Sequence, residues 1–324
     1  MAITRNELID MYGEFVNRYE ISSTLVNCDF AVLPMAWEYY YITGKKNDAI
    51  DFISECREAG KKVFTITMGD FGVTPMDKDV YIFRQNGYQS RRLKYQYALP
   101  AFIPCPMQRI FNAKEIYIRH KSAKPVVGFC GQSKTNIIKS FKDVFKTAIQ
   151  NVKYHSRLSF YEPHALYPST LLRQRVLRII EDDNRIISNF IKRKKYRAGV
   201  SDRASREKTT LEFFQNIMDS DYIVCLRGGG NFSVRLYETL AMGRIPVFVN
   251  TDCILPYDQI LEWKKYTIWI EAADLSSLPD RIVSFHNSLS EEQFMGLQKK
   301  CRQLWENYLS MNGFYQNFLQ NIKY

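Results

Sequence analysis

The stretch CLRGGGNFSVRLYE, Cys225–Glu238, gathers residue types that can hold a diphosphate and a ribose. An apolar run ends in Arg227 and three consecutive glycines, Gly228 to Gly230, and a helical pattern opens at Val234. Glycines let the backbone approach a ligand closely. The free N–H groups at the start of the following helix favour an anion, above all a phosphate. Asn231 or Ser233 could cap that helix, and Ser233 could instead offer its hydroxyl to a phosphate oxygen. Arg235 and Glu238, three residues apart, share a helix face. The arginine provides a planar fork for a diphosphate, and the glutamate can accept both hydroxyls of a ribose. A surface ion pair beside a plain turn fits the same letters. The turn is neither GxGxxG nor a P-loop, since its glycines are consecutive and no GK[ST] follows, so a simple NAD or ATP site is not indicated.

Elements that could position this turn alternate along the chain. Phe30–Met35, Lys61–Met68 and Asp79–Arg84 read as strands, with a helix over Asn47–Gly60. Leu99–Met107 carries three prolines and reads as a turn-rich crossing. A second series holds strands at Lys124–Gly131, Tyr222–Leu226, Ile245–Asn250 and Tyr266–Ile270, and a long basic helix over Pro168–Lys195. Alternation of this kind implies βαβ units and parallel sheets. Two such series predict two doubly wound α/β domains facing across a cleft, residues 1–122 and 123–305. A C-terminal helix at 306–324 could pack back on the first. In an open α/β sheet the ligand sits outside the carboxyl ends of the strands, where the glycine turn lies.

The 324 residues carry a formal net charge of +11, which points to an anionic partner. Part of the excess sits in IKRKKYRAGVSDRASR, Ile191–Arg206, read as a solvated face, with contact to an anionic membrane as the sharper alternative. Seven scattered cysteines without a CxxC pair suggest reduced thiols and no zinc site. The charged start and the lack of a long apolar run read as a cytoplasmic protein without signal peptide or anchor.

Cys225 to Trp263 resembles the C-terminal signature of the exostosin family of glycosyltransferases, family 47. The matching positions are Arg227-Gly228, Ser233, Arg235, Glu238, Gly243 to Val247, Leu255-Pro256-Tyr257 and Ile260 to Trp263. Weaker echoes lie upstream, in Lys62–Gly72, in VVGFCGQSK, and in LLRQRVL with its arginines. The aspartate the family places before its I-x-x-P turn is missing at IPCP. The lack of an anchor, unlike the family's Golgi members, suggests a bacterial or viral relative.

The resemblance implies a GT-B architecture, two Rossmann-like domains with a nucleotide sugar on the C-terminal one. It also implies inverting transfer from a nucleotide diphosphate sugar, UDP-linked by family analogy, to a glycan acceptor. Such a reaction needs a base for the acceptor hydroxyl and positive charge for the departing diphosphate. Helix N-termini and arginines can supply the charge, so no metal or other cofactor is expected. The donor set is then Arg227, Gly228, Gly229, Asn231, Ser233, Arg235 and Glu238, with Arg173 or Arg175 reaching in from the preceding helix. For the base, Asp70 in GDFG comes first and Glu38 in LPMAWEYY second, with Glu162 and His164 of YEPHALYP also facing the acceptor. The acidic triplets Asp219–Asp221 and Asp77–Asp79 precede their strands and are discounted as metal ligands. Two other classes compete. One is a non-catalytic carbohydrate-binding relative; the other is a nucleic-acid-binding protein, although no RRM, KH or zinc-finger pattern is present and no specific nucleic acid is expected.

Overall fold

The structure, a computed structural model, describes residues 5–6, 9, 13–74, 80–133 and 137–318. Its first sheet contains β1 (Phe30–Val32), β2 (Lys62–Thr67), β3 (Tyr81–Arg84) and β4 (Gln96–Ala98), all parallel and in sequential order. Helices α1 (Trp37–Ile42) and α2 (Lys46–Glu58) form the crossover between β1 and β2. They cover one face of the sheet, burying Trp37, Tyr40 and Ile53 against Ala31, Val63 and Ile82. β4 has no counterpart among the expected strands, because three residues before a proline show no readable period.

Helix α3 (Pro106–Phe111) leads across to the second sheet. That sheet contains β5 (Val126–Gln132), β6 (Ile187–Arg193), β7 (Tyr222–Cys225), β8 (Ile245–Asn250) and β9 (Ile268–Glu271), in the order β6-β5-β7-β8-β9. Its helices are α4 (Ile137–His155), α5 (Ser169–Glu181), α6 (Arg203–Met218), α7 (Val234–Ala241), α8 (Leu278–Ser288) and α9 (Glu291–Leu304). After β5 the chain goes to one side to form β6, then returns to β7 on the other side. The gap between the ends of β5 and β7 is therefore the switch point at which an open α/β sheet takes its ligand.

The expected single helix over Pro168–Lys195 is instead α5 followed by the edge strand β6. Asp182, Asp183 and Asn184 break it: Asp183 Oδ1 accepts the Arg185 N–H at 2.9 Å and closes a turn. The β-branched run after the turn then pairs with the whole of β5, from Val126↔Ile187 to Gln132↔Arg193.

The other face of the first sheet is covered from the far end of the chain. Helix α10 (Met311–Asn317) and the residue after it place Phe314 and Phe318 on Phe64, Tyr81 and Phe83. The chain also crosses back at residues 158–164, which a division at residue 123 assigns to the second domain. Val73 and Tyr161 form an antiparallel bridge, and Phe160 stacks on Tyr41 with ring centroids 4.8 Å apart. Aromatic burial against α1, absent from its own sheet, explains where this segment sits.

Candidate functional site

The carboxyl ends of β5 and β7 open into a cleft of about 1780 Å³ between the two sheets. Its floor is the glycine turn. Gly228 faces open space, whereas a Cβ on Gly229 would fall 2.5 Å from Asp70 Oδ2. Serine 233 occupies the N-cap of α7 in an extended conformation and makes no side-chain bond to the helix, and it lines the cleft. The first turn of α5 also reaches the cleft through Ser169 and Thr170, and the Thr170 hydroxyl is buried without a partner. Two helix N-termini thus converge on one space, each with unsatisfied donors.

Three arginines surround the same floor. Arg235 packs its guanidinium over the Phe129 ring, 4.2 Å from the centroid, and donates to the Cys130 carbonyl at 2.7 Å. Arg173 donates to the Gln132 carbonyl and, at 3.2 Å, to that of Arg227. Among the described residues Arg227 keeps a single long contact, 3.4 Å, from Nη1 to the Tyr88 hydroxyl. In all three the Nε–H is buried with no hydrogen-bond partner among the described residues. Burial, reinforced by the charge of Arg235, pushes Arg173 down to about 10, and burial lowers Arg235 as well. Both remain cations at neutral pH, so like charges are held together in a poorly solvated place. An anion in the cleft would relieve the arrangement. Glu238, one turn from Arg235, lines the cleft beside it.

The expected donor residues do not all share this space. Gly228, Gly229, Ser233, Arg235 and Glu238 line the cleft. Arg227 lies just behind the turn, 7% exposed. Asn231 is fully buried and turned away: its amide donates to the carbonyls of Gly87 and Asp252, and its Oδ1 accepts from Thr251. It fastens the turn to the first domain, so placing it at the ligand is corrected. Arg175 is exposed rather than cleft-lining. Two residues rotate a helix position by about 200°, so Arg173 faces in where Arg175 cannot.

Asp70, from the first domain, lines the cleft directly against the turn, its Oδ1 accepting the Gly230 N–H at 3.0 Å. Glu38 is not among the cleft-lining residues. Its Oε1 accepts the Met68 N–H at 2.9 Å, two residues before Asp70, and burial raises its carboxyl. It acts on the turn that carries Asp70, which corrects its reading as a base. Glu162 is engaged by Arg84 and Thr74. His164 stacks edge-on against Phe71 with centroids 4.8 Å apart, and burial together with the Arg227 charge lowers its pKa. Arg84, 3% exposed, joins Glu162 to Gln96 and went unnoticed in the sequence, where one arginine ending a strand has no visible partner. The basic run Ile191–Arg206 gains a definite place, because Arg193, Arg203 and Arg206 line the cleft.

Of the acidic triplets, Asp77–Asp79 lies outside the described residues. In the other, Asp221 is fully buried at the amino end of β7, paired with Arg119 at 2.9 Å and accepting the Val126 N–H. Asp219 accepts from Gln215 at the end of α6. Neither carboxylate reaches the cleft floor. Among the described residues no group of three His, Cys, Asp or Glu side chains is spaced to hold a metal ion.

Comparison with known proteins bears on this half of the chain. Residues 158–285 match the family profile described as Exostosin GT47 domain. This segment is similar to the exostosin GT47 domain. It shares 28% identity over 107 residues with Exostosin-1 of Drosophila melanogaster, covering 33% of this chain and 14% of that protein. With the Exostosin-1 homolog of Caenorhabditis elegans it shares 26% over 107 residues, 33% of this chain and 27% of the relative. The chain therefore spans only a minor part of the curated relatives it matches. A solved glycosyltransferase from Rickettsia africae superposes with a TM-score of 0.41 at 12% identity, over 80% of this chain and 69% of that one. TarM of S. aureus gives 0.38 at 11% identity, over 82% and 51%. The exostosin-like segment includes α5, β6, α6, the glycine turn and α7, and hence Arg173 and Arg235 of the cleft and Arg227 behind the turn.

Proposed function

We propose that this protein is a glycosyltransferase that moves a sugar from a nucleotide diphosphate sugar, UDP-linked, to a glycan hydroxyl with inversion and without a metal. The observation that carries the reading is the set of three buried, unpartnered arginine Nε–H groups around an open glycine turn. A diphosphate supplies the missing acceptors, and arginine is suited to phosphate geometry. Ser233 and the N-termini of α5 and α7 add donors to the same oxygens. Glu238 takes the ribose hydroxyls. Stabilising the departing diphosphate is the main electrostatic demand of such a displacement, and fixed donors meet it without reorganisation. Asp70, packed against the turn at the cleft wall, takes the proton of the acceptor hydroxyl through Oδ2 while Gly230 holds Oδ1. The exostosin-like segment supports the reaction class, and the base and donor assignments rest on the cleft geometry.

Thermal unfolding in EDTA tests the donor site. UDP at a hundred times its dissociation constant stabilises by ~2.7 kcal/mol, a shift on the order of 5 °C. The shift should be absent with CMP and lost in Glu238→Ala. A response to UDP that appears only after manganese or magnesium is added would contradict the metal-free reading.

A further inference from the structure

Helix α4 lies on the surface with its polar side turned towards the protein. Gln150 Nε2 donates to Ser159 Oγ at 2.6 Å. Asn151 donates to the His164 carbonyl at 2.8 Å and accepts the His164 N–H at 2.9 Å. These bonds fix the rotation of the helix, which leaves its apolar stripe in solvent. Phe141 is 70% exposed, Phe145 67%, Ile149 42% and Val152 65%. At 100° per residue the four fall within about 80° of one another. Leu158, just beyond the helix, is a further apolar side chain left 78% exposed. An exposed patch of this kind marks an interaction surface.

The charge beside the stripe indicates what it meets. Lys142, Lys146 and Lys153 are exposed and form the adjoining band, within about 40° of one another. Asp143 is the one acid between 141 and 155, and it lies on the protein-facing side. Aromatic and aliphatic side chains flanked by a row of lysines suit a helix lying in the plane of an anionic lipid interface. Among the described residues no helix is long and apolar enough to cross a membrane, so α4 would lie on the bilayer rather than span it. We propose that Phe141, Phe145, Ile149 and Val152 insert into the interface of an anionic membrane, with Lys142, Lys146 and Lys153 on the headgroups. Docking through α4 sets the cleft against the bilayer at a fixed distance, because Asn151 is bonded to His164, whose ring packs on Tyr88 and on Phe71, the residue after Asp70.

Vesicle flotation of the full chain tests this without reference to transfer activity. The protein should float with vesicles of phosphatidylcholine mixed with phosphatidylglycerol and stay behind with phosphatidylcholine alone. The pair Phe141→Ser and Phe145→Ser should abolish flotation while leaving the melting temperature unchanged, since both side chains are exposed. Replacing Lys142, Lys146 and Lys153 by glutamine should weaken binding on the order of a hundredfold. Equal binding to neutral vesicles, or flotation that survives the phenylalanine pair, overturns the assignment. A self-associated protein that becomes monomeric in that pair, with no flotation of the parent, also overturns it and assigns the stripe to a second copy.

Discussion

Asp70 and Glu38 differ in what their oxygens touch, and that difference sorts them. Asp70 lines the cleft against the glycine turn, whereas Glu38 holds the Met68 N–H behind it. A base removed from the reacting hydroxyl lowers turnover by about 10²–10⁴. Asp70→Asn should therefore lose kcat on that scale and keep the thermal response to UDP. Glu38→Gln retains an acceptor for Met68 and loses a carboxylate that burial disfavours. It should leave kcat within a few-fold of the parent, as about 1 kcal/mol of loop perturbation would allow. If Glu38→Gln abolishes turnover while Asp70→Asn is active, the two assignments are exchanged. Asn231 shows how residue type can mislead at this scale. An asparagine beside glycines suggests a ligand contact, yet its bonds to Gly87, Asp252 and Thr251 use both ends of the amide.

At the scale of elements, the C-terminal helix supplies a layer that the first sheet lacks. Phe314 is 2% exposed among Phe83, Phe102 and Tyr257, and the Tyr257 hydroxyl donates to the Phe314 carbonyl at 2.9 Å. Phe314→Ala should destabilise by about 3–5 kcal/mol in urea unfolding, the cost of an aromatic cavity. A loss below ~1 kcal/mol would mean that α10 is an appendage. Tyr257 belongs to the exostosin-like signature, and so does Trp263, whose Nε1 donates to the Pro256 carbonyl. Part of that signature therefore builds the frame and part lines the cleft. The strands β2, β5, β7 and β8 were legible because both-face burial makes them continuous apolar runs. The strand β6 was not, since edge residues exposed on one side carry the polar letters that a basic helix would carry. Gly228, Gly229, Ser233, Arg235 and Glu238 could be read as a group because they are local in sequence. Asp70, Glu162 and Arg84 come together only through packing between distant segments, and no spacing in the chain records it.

Across the whole molecule, each half contains a histidine whose proton affinity burial lowers, and acid should weaken both halves together. Burial and the Arg227 charge lower His164, whose Nε2 is buried without a partner. Burial lowers His286 in the second domain, where its ring lies between the Tyr222 hydroxyl and the Ser122 carbonyl. An unfolded imidazole takes its proton near pH 6.5, and these two do so only at lower pH when folded. The unfolded state then binds the extra protons, so stability present above about pH 6.5 is lost as pH falls through that value. The slope can reach at most ~2.7 kcal/mol per pH unit while both histidines differ. Glu38 acts with the opposite sign, because its raised carboxyl gains from protonation as the pH falls. Asp183, held down to about 2 by Arg185, matters only in still stronger acid. Melting temperature followed from pH 8 to pH 5 should therefore be level at first and fall below about 6.5. His164→Asn, which cannot titrate, should flatten part of that fall, and a parent curve level throughout the range would leave neither histidine a role in stability.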